Sequence, residues 1–172
     1  TLVLGGASSG KSAFAEALIK SQRGRHVYVA SAQPFDDEMN DKIAKHKNDR
    51  GPDWHTIEAP LGVADVLQQL NGDDLVLFDC VTLWLSNHLF ADSDLVAEEN
   101  RLVASLLSSP ASIVLVSNEV GQSVVPDNAL SRRFRDAQGQ LNQRLATHAD
   151  VVVAIMAGLA VTLKGQLPDP RI

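Results

Sequence analysis

Short runs of Val, Leu and Ile alternate along this chain with longer stretches in which apolar residues recur every three or four positions. The short runs occupy residues 1–4, 26–31, 75–79, 112–117 and 151–156, with a smaller sixth at 161–163. Most are nearly continuous in apolar character, as strands buried on both faces should be, so they predict the strands of a parallel sheet. The longer stretches, at 11–21, 36–48, 62–70, 95–107 and 130–147, predict helices, and another helix begins near Val81. Polar, Gly or Pro breaks at Gly51-Pro52, Asn71-Gly72-Asp73-Asp74 and Pro126-Asp127-Asn128 punctuate them. The alternation predicts an α/β fold, a mostly parallel sheet flanked by helices, with residues 1–172 forming one domain. No linker, repeat or low-complexity segment divides the chain, and 168–172 reads as an irregular tail.

Composition narrows the partners. A chain of 172 residues with 45% hydrophobic content can bury a sizeable core. Its 15 Lys and Arg stand against 21 Asp and Glu, a net charge of −6 with pI near 5.2. That balance lacks the broad basic face that nucleic acid demands and favours a small phosphate-bearing ligand gripped locally. The one cysteine, Cys80, has no internal disulfide partner. With an opening apolar run too short for a signal peptide and no stretch near the ~20 apolar residues of a membrane span, a cytoplasmic protein is expected.

The strongest local motif is Gly5-Gly6-Ala7-Ser8-Ser9-Gly10-Lys11-Ser12, which fits G-x-x-x-x-G-K-[ST] between an apolar strand and a helical pattern. Glycines at both ends let the backbone curl so that successive N–H groups and the positive end of the next helix face a phosphate chain. Lys11 adds charge and the Ser12 hydroxyl can coordinate Mg²⁺. A P-loop of this kind needs a second metal anchor, an acid at the end of a neighbouring hydrophobic strand. Asp79 closes Leu75-Val76-Leu77-Phe78-Asp79 and fits that role, although the same residue could instead cap the helix beginning near Val81.

The segment 34–50 begins with acids and ends with bases, matching the helix macrodipole at both ends. On such a helix Lys42, His46 and Arg50 recur every fourth residue and set a cationic stripe beside the imidazole. These neighbours disfavour a protonated ring, leaving a nitrogen able to attack phosphorus. Spacing alone favours a solvated helix face. The other histidines, His26, His55, His88 and His148, are explained by packing or by a helix C-terminal position, and none has metal-ligand spacing.

The P-loop, the Asp36-Asp37-Glu38-Met39 to His46-x-x-x-Arg50 block and Trp54 with Glu58 form an ordered set. It continues through Asp79-Cys80-Val81-Thr82-Leu83-Trp84-Leu85-Ser86-Asn87, Asn118-Glu119-Val120-Gly121 and Phe134-Arg135-Asp136 with Gly139, Asn142 and Gln143. In this order, over almost the whole chain, these blocks resemble the bifunctional adenosylcobinamide kinase / adenosylcobinamide-phosphate guanylyltransferase family of cobalamin biosynthesis. The resemblance implies a P-loop α/β enzyme that phosphorylates adenosylcobinamide with ATP or GTP and then transfers GMP from GTP to that phosphate. It implies that His46 carries the GMP, and that Gly5–Ser12, Ala30, Ser31, Ala32, Lys47, Asn48, Asp49, Arg50, Glu58 and Asp79 contact nucleotide. It implies Mg²⁺ as cofactor and a propeller-like homotrimer. Many members carry Arg where this chain has Ser8, so one positive contact beside the phosphates is missing here.

Two other readings share the P-loop. A nucleotide-dependent switch needs a guanine-reading Asn-Lys-x-Asp, and the comparable strand end here is Asn118-Glu119-Val120-Gly121, which rejects it. A small-molecule kinase without guanylyl transfer would leave His46 with no covalent role.

Overall fold

The computed structural model describes residues 1–33, 51 and 53–167 of the chain. Seven strands form one sheet: β1 (Leu2–Gly5), β2 (Arg25–Ala30), β3 (Trp54–Glu58), β4 (Asp74–Asp79), β5 (Ser112–Asn118), β6 (Val152–Met156) and β7 (Leu159–Lys164). Their order across the sheet is β3-β2-β4-β5-β1-β6-β7. The first six are parallel, and β7 runs antiparallel to β6 at one edge.

Helix α1 (Lys11–Lys20) covers one face. Its Ala15 and Ile19 pack with Val3, Tyr28, Leu75, Leu77, Val114, Val116, Val153 and Ile155. The other face carries α2 (Val63–Leu67), α3 (Val81–Phe90), α4 (Leu95–Ser108) and α5 (Ala129–His148). There Leu67, Trp84, Leu102 and Leu141 pack with Leu2, Val76, Phe78 and Leu115. Successive residues of β4 thus feed alternate cores, which is why that run is apolar without interruption. Side-chain caps start two of the helices: Asp94 accepts from the Ala97 N–H at α4 and Asn128 from the Ser131 N–H at α5.

The strands read from the sequence recur within a residue or two, with two differences. The smaller run at 161–163 extends to Leu159–Lys164, because Ala157 and Gly158, at φ 51° and 79°, close a two-residue hairpin turn with β6. Strand β3 was not among the expected strands: Trp-His-Thr-Ile-Glu mixes polar and apolar residues, as an edge strand with one partner tolerates. Helix 62–70 shortens to Val63–Leu67. The helix expected at 36–48 and the tail 168–172 lie outside the described residues. Among the described residues no helix is long and apolar enough to cross a membrane.

At the opposite edge from the strand ends that carry the candidate site, Arg25 and Asp74 are register partners on β2 and β4. Arg25 Nε and Nη2 reach the two carboxylate oxygens at 2.6 and 2.9 Å, and the Asn71 N–H donates to Oδ2 at 2.8 Å. The Asp74 side chain is only 1% exposed, and the guanidinium bonds hold its carboxyl below the usual carboxylate range. A depressed folded value means that this carboxylate stabilises the fold above the ordinary carboxylate pKa and loses that contribution as pH falls through the lowered one. The stability gap between the parent and Asp74→Asn, measured by urea unfolding, should therefore be full at pH 7 and narrow steadily below about pH 4.

Candidate active site

Because β1 to β6 are parallel, their C-terminal ends meet at one edge, where open α/β sheets bind ligands. Register sets Gly5 opposite Asn118 and Ile155, and Ala30 opposite both Glu58 and Asp79. Strand alternation then sorts these ends by face. Val3, Tyr28, Trp54, Leu77 and Val116 belong to the core under α1, so Gly5, Ala30, Asp79 and Asn118, each two residues further on, and Glu58, four residues after Trp54, lie on the α1 side. Residues read from separate motifs are in this way gathered beside the loop that leads into α1.

That loop has the curled form expected of a phosphate cradle. Gly10 sits at φ 95° as the residue preceding α1, and Ser8 also adopts a left-handed conformation at φ 56°. A methyl group at Gly5 would fall 2.5 Å from Ser9 Oγ and 2.8 Å from the Ile155 carbonyl oxygen, so the approach of loop to sheet requires glycine there. The Ser9 N–H bonds the Gly6 carbonyl at 3.3 Å, and the Phe14 N–H bonds Gly10 at 3.0 Å as the helix begins. Lys11 Nζ donates to the Gly6 carbonyl at 3.0 Å, folding its charge back over the loop. Gly6, Ala7, Ser8 and Gly10 are exposed, and Lys11 and Ser12 are half-buried at the start of α1. The Gly158 N–H, from the β6–β7 turn, braces the Ser9 carbonyl at 2.9 Å.

The ends of β2 and β4 are tied by buried hydrogen bonds. Ser31 Oγ donates to the Cys80 carbonyl at 2.7 Å and accepts from the Cys80 N–H at 2.9 Å. Asn87 Nδ2, on α3, donates to the Ser31 carbonyl at 2.8 Å and to that of Pro60 at 2.9 Å. Ser31 is wholly buried, so it fixes the strand ends. Ala32 follows it, half-buried, and Glu58 is exposed at the end of β3. Cys80, not Asp79, occupies the cap position of α3, and no side-chain cap bond forms there. The half-buried Asp79 ends β4 on the face of the P-loop. Burial pushes the Cys80 thiol up to about 11, an inert sulfhydryl among packed side chains.

A second buried network, which sequence reasoning did not single out as a unit, holds the end of β5. Ser117 Oγ donates to Asn142 Oδ1 at 2.6 Å, and Gln138 Nε2 donates to Ser117 Oγ at 2.9 Å and to Asn142 Oδ1 at 3.0 Å. Asn142 Nδ2 reaches the Asn118 carbonyl at 3.0 Å, while the Asn118 N–H donates to Thr82 Oγ1 at 2.8 Å. Gln138 and Asn142 are one helical turn apart on α5, a spacing legible in sequence, but their polar partners are distant in the chain.

Of the remaining expected residues, His46, Lys47, Asn48, Asp49 and Arg50 lie outside the described residues. His88 is a packed histidine, 3% exposed, with its ring 4.5 Å from that of Trp84 and Nδ1 3.0 Å from Ser93 Oγ; burial holds its pKa down. His26 leans on Trp54, with ring centroids 5.1 Å apart, and His148 ends α5. Among the described residues no group of three or more His, Cys, Asp and Glu could hold a metal ion. Two hard oxygen donors, the Ser12 hydroxyl at the start of α1 and the Asp79 carboxylate, do fit Mg²⁺, which takes one or two protein oxygens and completes its shell with phosphates and water.

The family model "Cobinamide kinase / cobinamide phosphate guanyltransferase" matches residues 1–163. The bifunctional adenosylcobalamin biosynthesis protein CobP of Pseudomonas aeruginosa is 42% identical over 168 residues, covering 96% of this chain and 97% of that protein. The bifunctional adenosylcobalamin biosynthesis proteins CobU of Salmonella typhimurium and Escherichia coli are 40% and 38% identical, each covering 95% of this chain and 98% of theirs. Among solved structures, the RadB recombinase superposes with a TM-score of 0.52 at 16% identity, covering 97% of this chain and 82% of that one, a likeness of fold. With the P-loop, the acidic strand end and the order of blocks in place, this chain belongs to the cobinamide kinase / cobinamide phosphate guanyltransferase family.

Proposed function

We propose that this chain is a single catalytic domain that phosphorylates adenosylcobinamide and then converts the product to adenosylcobinamide-GDP. The observation that carries the reading is the cradle of Gly5–Ser12 with Asp79 on the same face of the sheet. In the first step the aminopropanol oxygen of adenosylcobinamide attacks the terminal phosphorus of ATP or GTP, its proton departs, and the bond to the nucleoside diphosphate breaks. Gly6 to Gly10 offer backbone N–H groups to the phosphates, and Lys11 supplies charge where it develops. Ser12 and Asp79 would hold Mg²⁺, which neutralises phosphate charge when bound.

In the second step a ring nitrogen of His46 attacks the α-phosphorus of GTP, diphosphate leaves, and a phosphoramidate joins GMP to the imidazole. An oxygen of adenosylcobinamide phosphate then attacks that phosphorus and the P–N bond breaks. Lys47, Asn48, Asp49 and Arg50 would line the nucleotide beside it, and Ala30, Ala32 and Glu58 would contact it from the ends of β2 and β3, with the wholly buried Ser31 holding the strand end behind them. The net charge of −6 supports small-molecule partners over nucleic acid, and a single buried thiol accords with work in the cytoplasm. Association between copies is supported by β7, an edge strand whose Leu159, Val161 and Leu163 stand 72%, 48% and 61% exposed beside Met156 at 66%, and a homotrimer is the assembly that the family resemblance implies.

Intact mass after incubation with GTP and Mg²⁺ tests the transferase. A GMP-sized, acid-labile increment should appear in the parent and be absent from His46→Ala, and a parent that binds GTP without gaining mass would reduce the enzyme to a P-loop kinase. Lys11→Ala should lower adenosylcobinamide phosphorylation on the order of 100-fold or more in a steady-state assay, the size of one lost charge-stabilising donor. Sedimentation at working concentration should return three chains per particle, and a monomer alone would remove the assembly.

A further inference from the structure

Asn118 combines a rigid main chain with a side chain that the fold leaves unmatched. Its N–H is held by Thr82 Oγ1 and its C=O by Asn142 Nδ2, so α3 and α5 clamp the same residue through the peptide groups on either side of it. Asn142 is itself fixed by Ser117 and Gln138. Yet the carboxamide oxygen Oδ1 is buried and has no hydrogen-bond partner. A buried carbonyl without a donor has lost its water and gained nothing in return, and natural cores rarely retain one without a use.

Position supplies the use. Asn118 is the register partner of Gly5, the first residue of the P-loop, on one side. On the other side β5 pairs with β4, where Asp79 lies opposite Val116. The side chain falls on the α1 face, between the loop that cradles phosphate and the carboxylate that ends β4. The group that satisfies Oδ1 must be a donor, and phosphate oxygens are acceptors. An O–H group beside the terminal phosphate meets the need.

We propose that Asn118 is a catalytic residue of the phosphoryl-transfer step, its Oδ1 accepting a hydrogen bond from the O–H that lies against the terminal phosphate, supplied by the acceptor alcohol or by a water held beside the phosphates. The inference rests on the kinase reading above. Asn118 takes up no proton: it orients the hydroxyl, whose proton passes to a phosphate oxygen as the new O–P bond forms and the bond to the nucleoside diphosphate breaks. The clamp on its peptide keeps that acceptor in place before substrate arrives, which is where positioning gains its effect.

The test compares the parent with Asn118→Leu, which keeps the branching at Cγ and removes the polar atoms, and with Asn118→Ala. Three experiments are run: thermal unfolding for the midpoint, calorimetry for ATP affinity with and without Mg²⁺, and steady-state kinetics for kcat and KM of adenosylcobinamide phosphorylation. The expected result is a midpoint in Asn118→Leu equal to or above the parent's, since an unmatched buried carbonyl has gone, together with a kcat lower by about 10- to 100-fold. If the donor is the alcohol, ATP affinity stays within about threefold; if it is a metal-held water, affinity falls about tenfold with Mg²⁺ and not without it. Unchanged kcat in both variants overturns the proposal. So does a kcat loss that simply tracks a fall in thermal midpoint, which would make Asn118 a packing residue. Absence of phosphorylation by the parent would refute the kinase reading instead, and the midpoint and calorimetric results would still judge Asn118 as a ligand of the nucleotide site.

Discussion

A parallel sheet covered by helices on both faces leaves chemistry little room except at its edges. Here the constraint is β1, flanked by parallel neighbours β5 and β6, with α1 returning over one face. The strand is buried, its backbone groups are taken by both ladders, and the chain must turn sharply at Gly5 to begin the helix. That turn is the P-loop. The other candidate groups are at the same edge because the strands beside β1 share its direction, and on the same face because strand side chains alternate with a period of two. Were β5 or β4 to slip by one residue, Asn118 and Asp79 would move to the side of α3 and α5, and the cradle would lose both.

How much of this was legible in the sequence follows from the range of the forces involved. The P-loop and the acidic end of β4 are written in contiguous residues, so motif and strand pattern found them together. Most strand positions were legible because burial on both faces leaves an unbroken apolar run. Strand β3 was not, since an edge strand with one ladder partner needs no such run; Trp54, beside Tyr28, anchors it in one core and Ile57 packs against the other. The Ser31–Cys80–Asn87 ties and the Gln138–Ser117–Asn142 network were equally hidden, because each joins residues far apart in sequence and only tertiary packing brings them together. Resemblance to the family marked Asn118 and Asn142 in two separate blocks; it did not say that one clamps the other.

The two networks share a logic. Both put buried polar side chains where a strand ends and the backbone, leaving its ladder, needs new partners. Ser31 receives the Cys80 N–H and returns its own hydroxyl hydrogen to the Cys80 carbonyl, so one side chain satisfies both polar groups of a single residue. Asn118 has the same double attachment from Thr82 and Asn142. The helices of the second face therefore do more than cover the core: they fix the heights at which the strand ends present their side chains to the first.

The β6–β7 turn reaches across to the P-loop, where the Gly158 N–H holds the Ser9 carbonyl and the Gly158 Cα lies 3.4 Å from where a Gly10 side chain would begin. Loop and edge hairpin are thus one mechanical unit. Coupling free energies are reciprocal, so a contact on β7 that moved Gly158 would act on a ligand of the P-loop by the same factor by which that ligand would act on the contact.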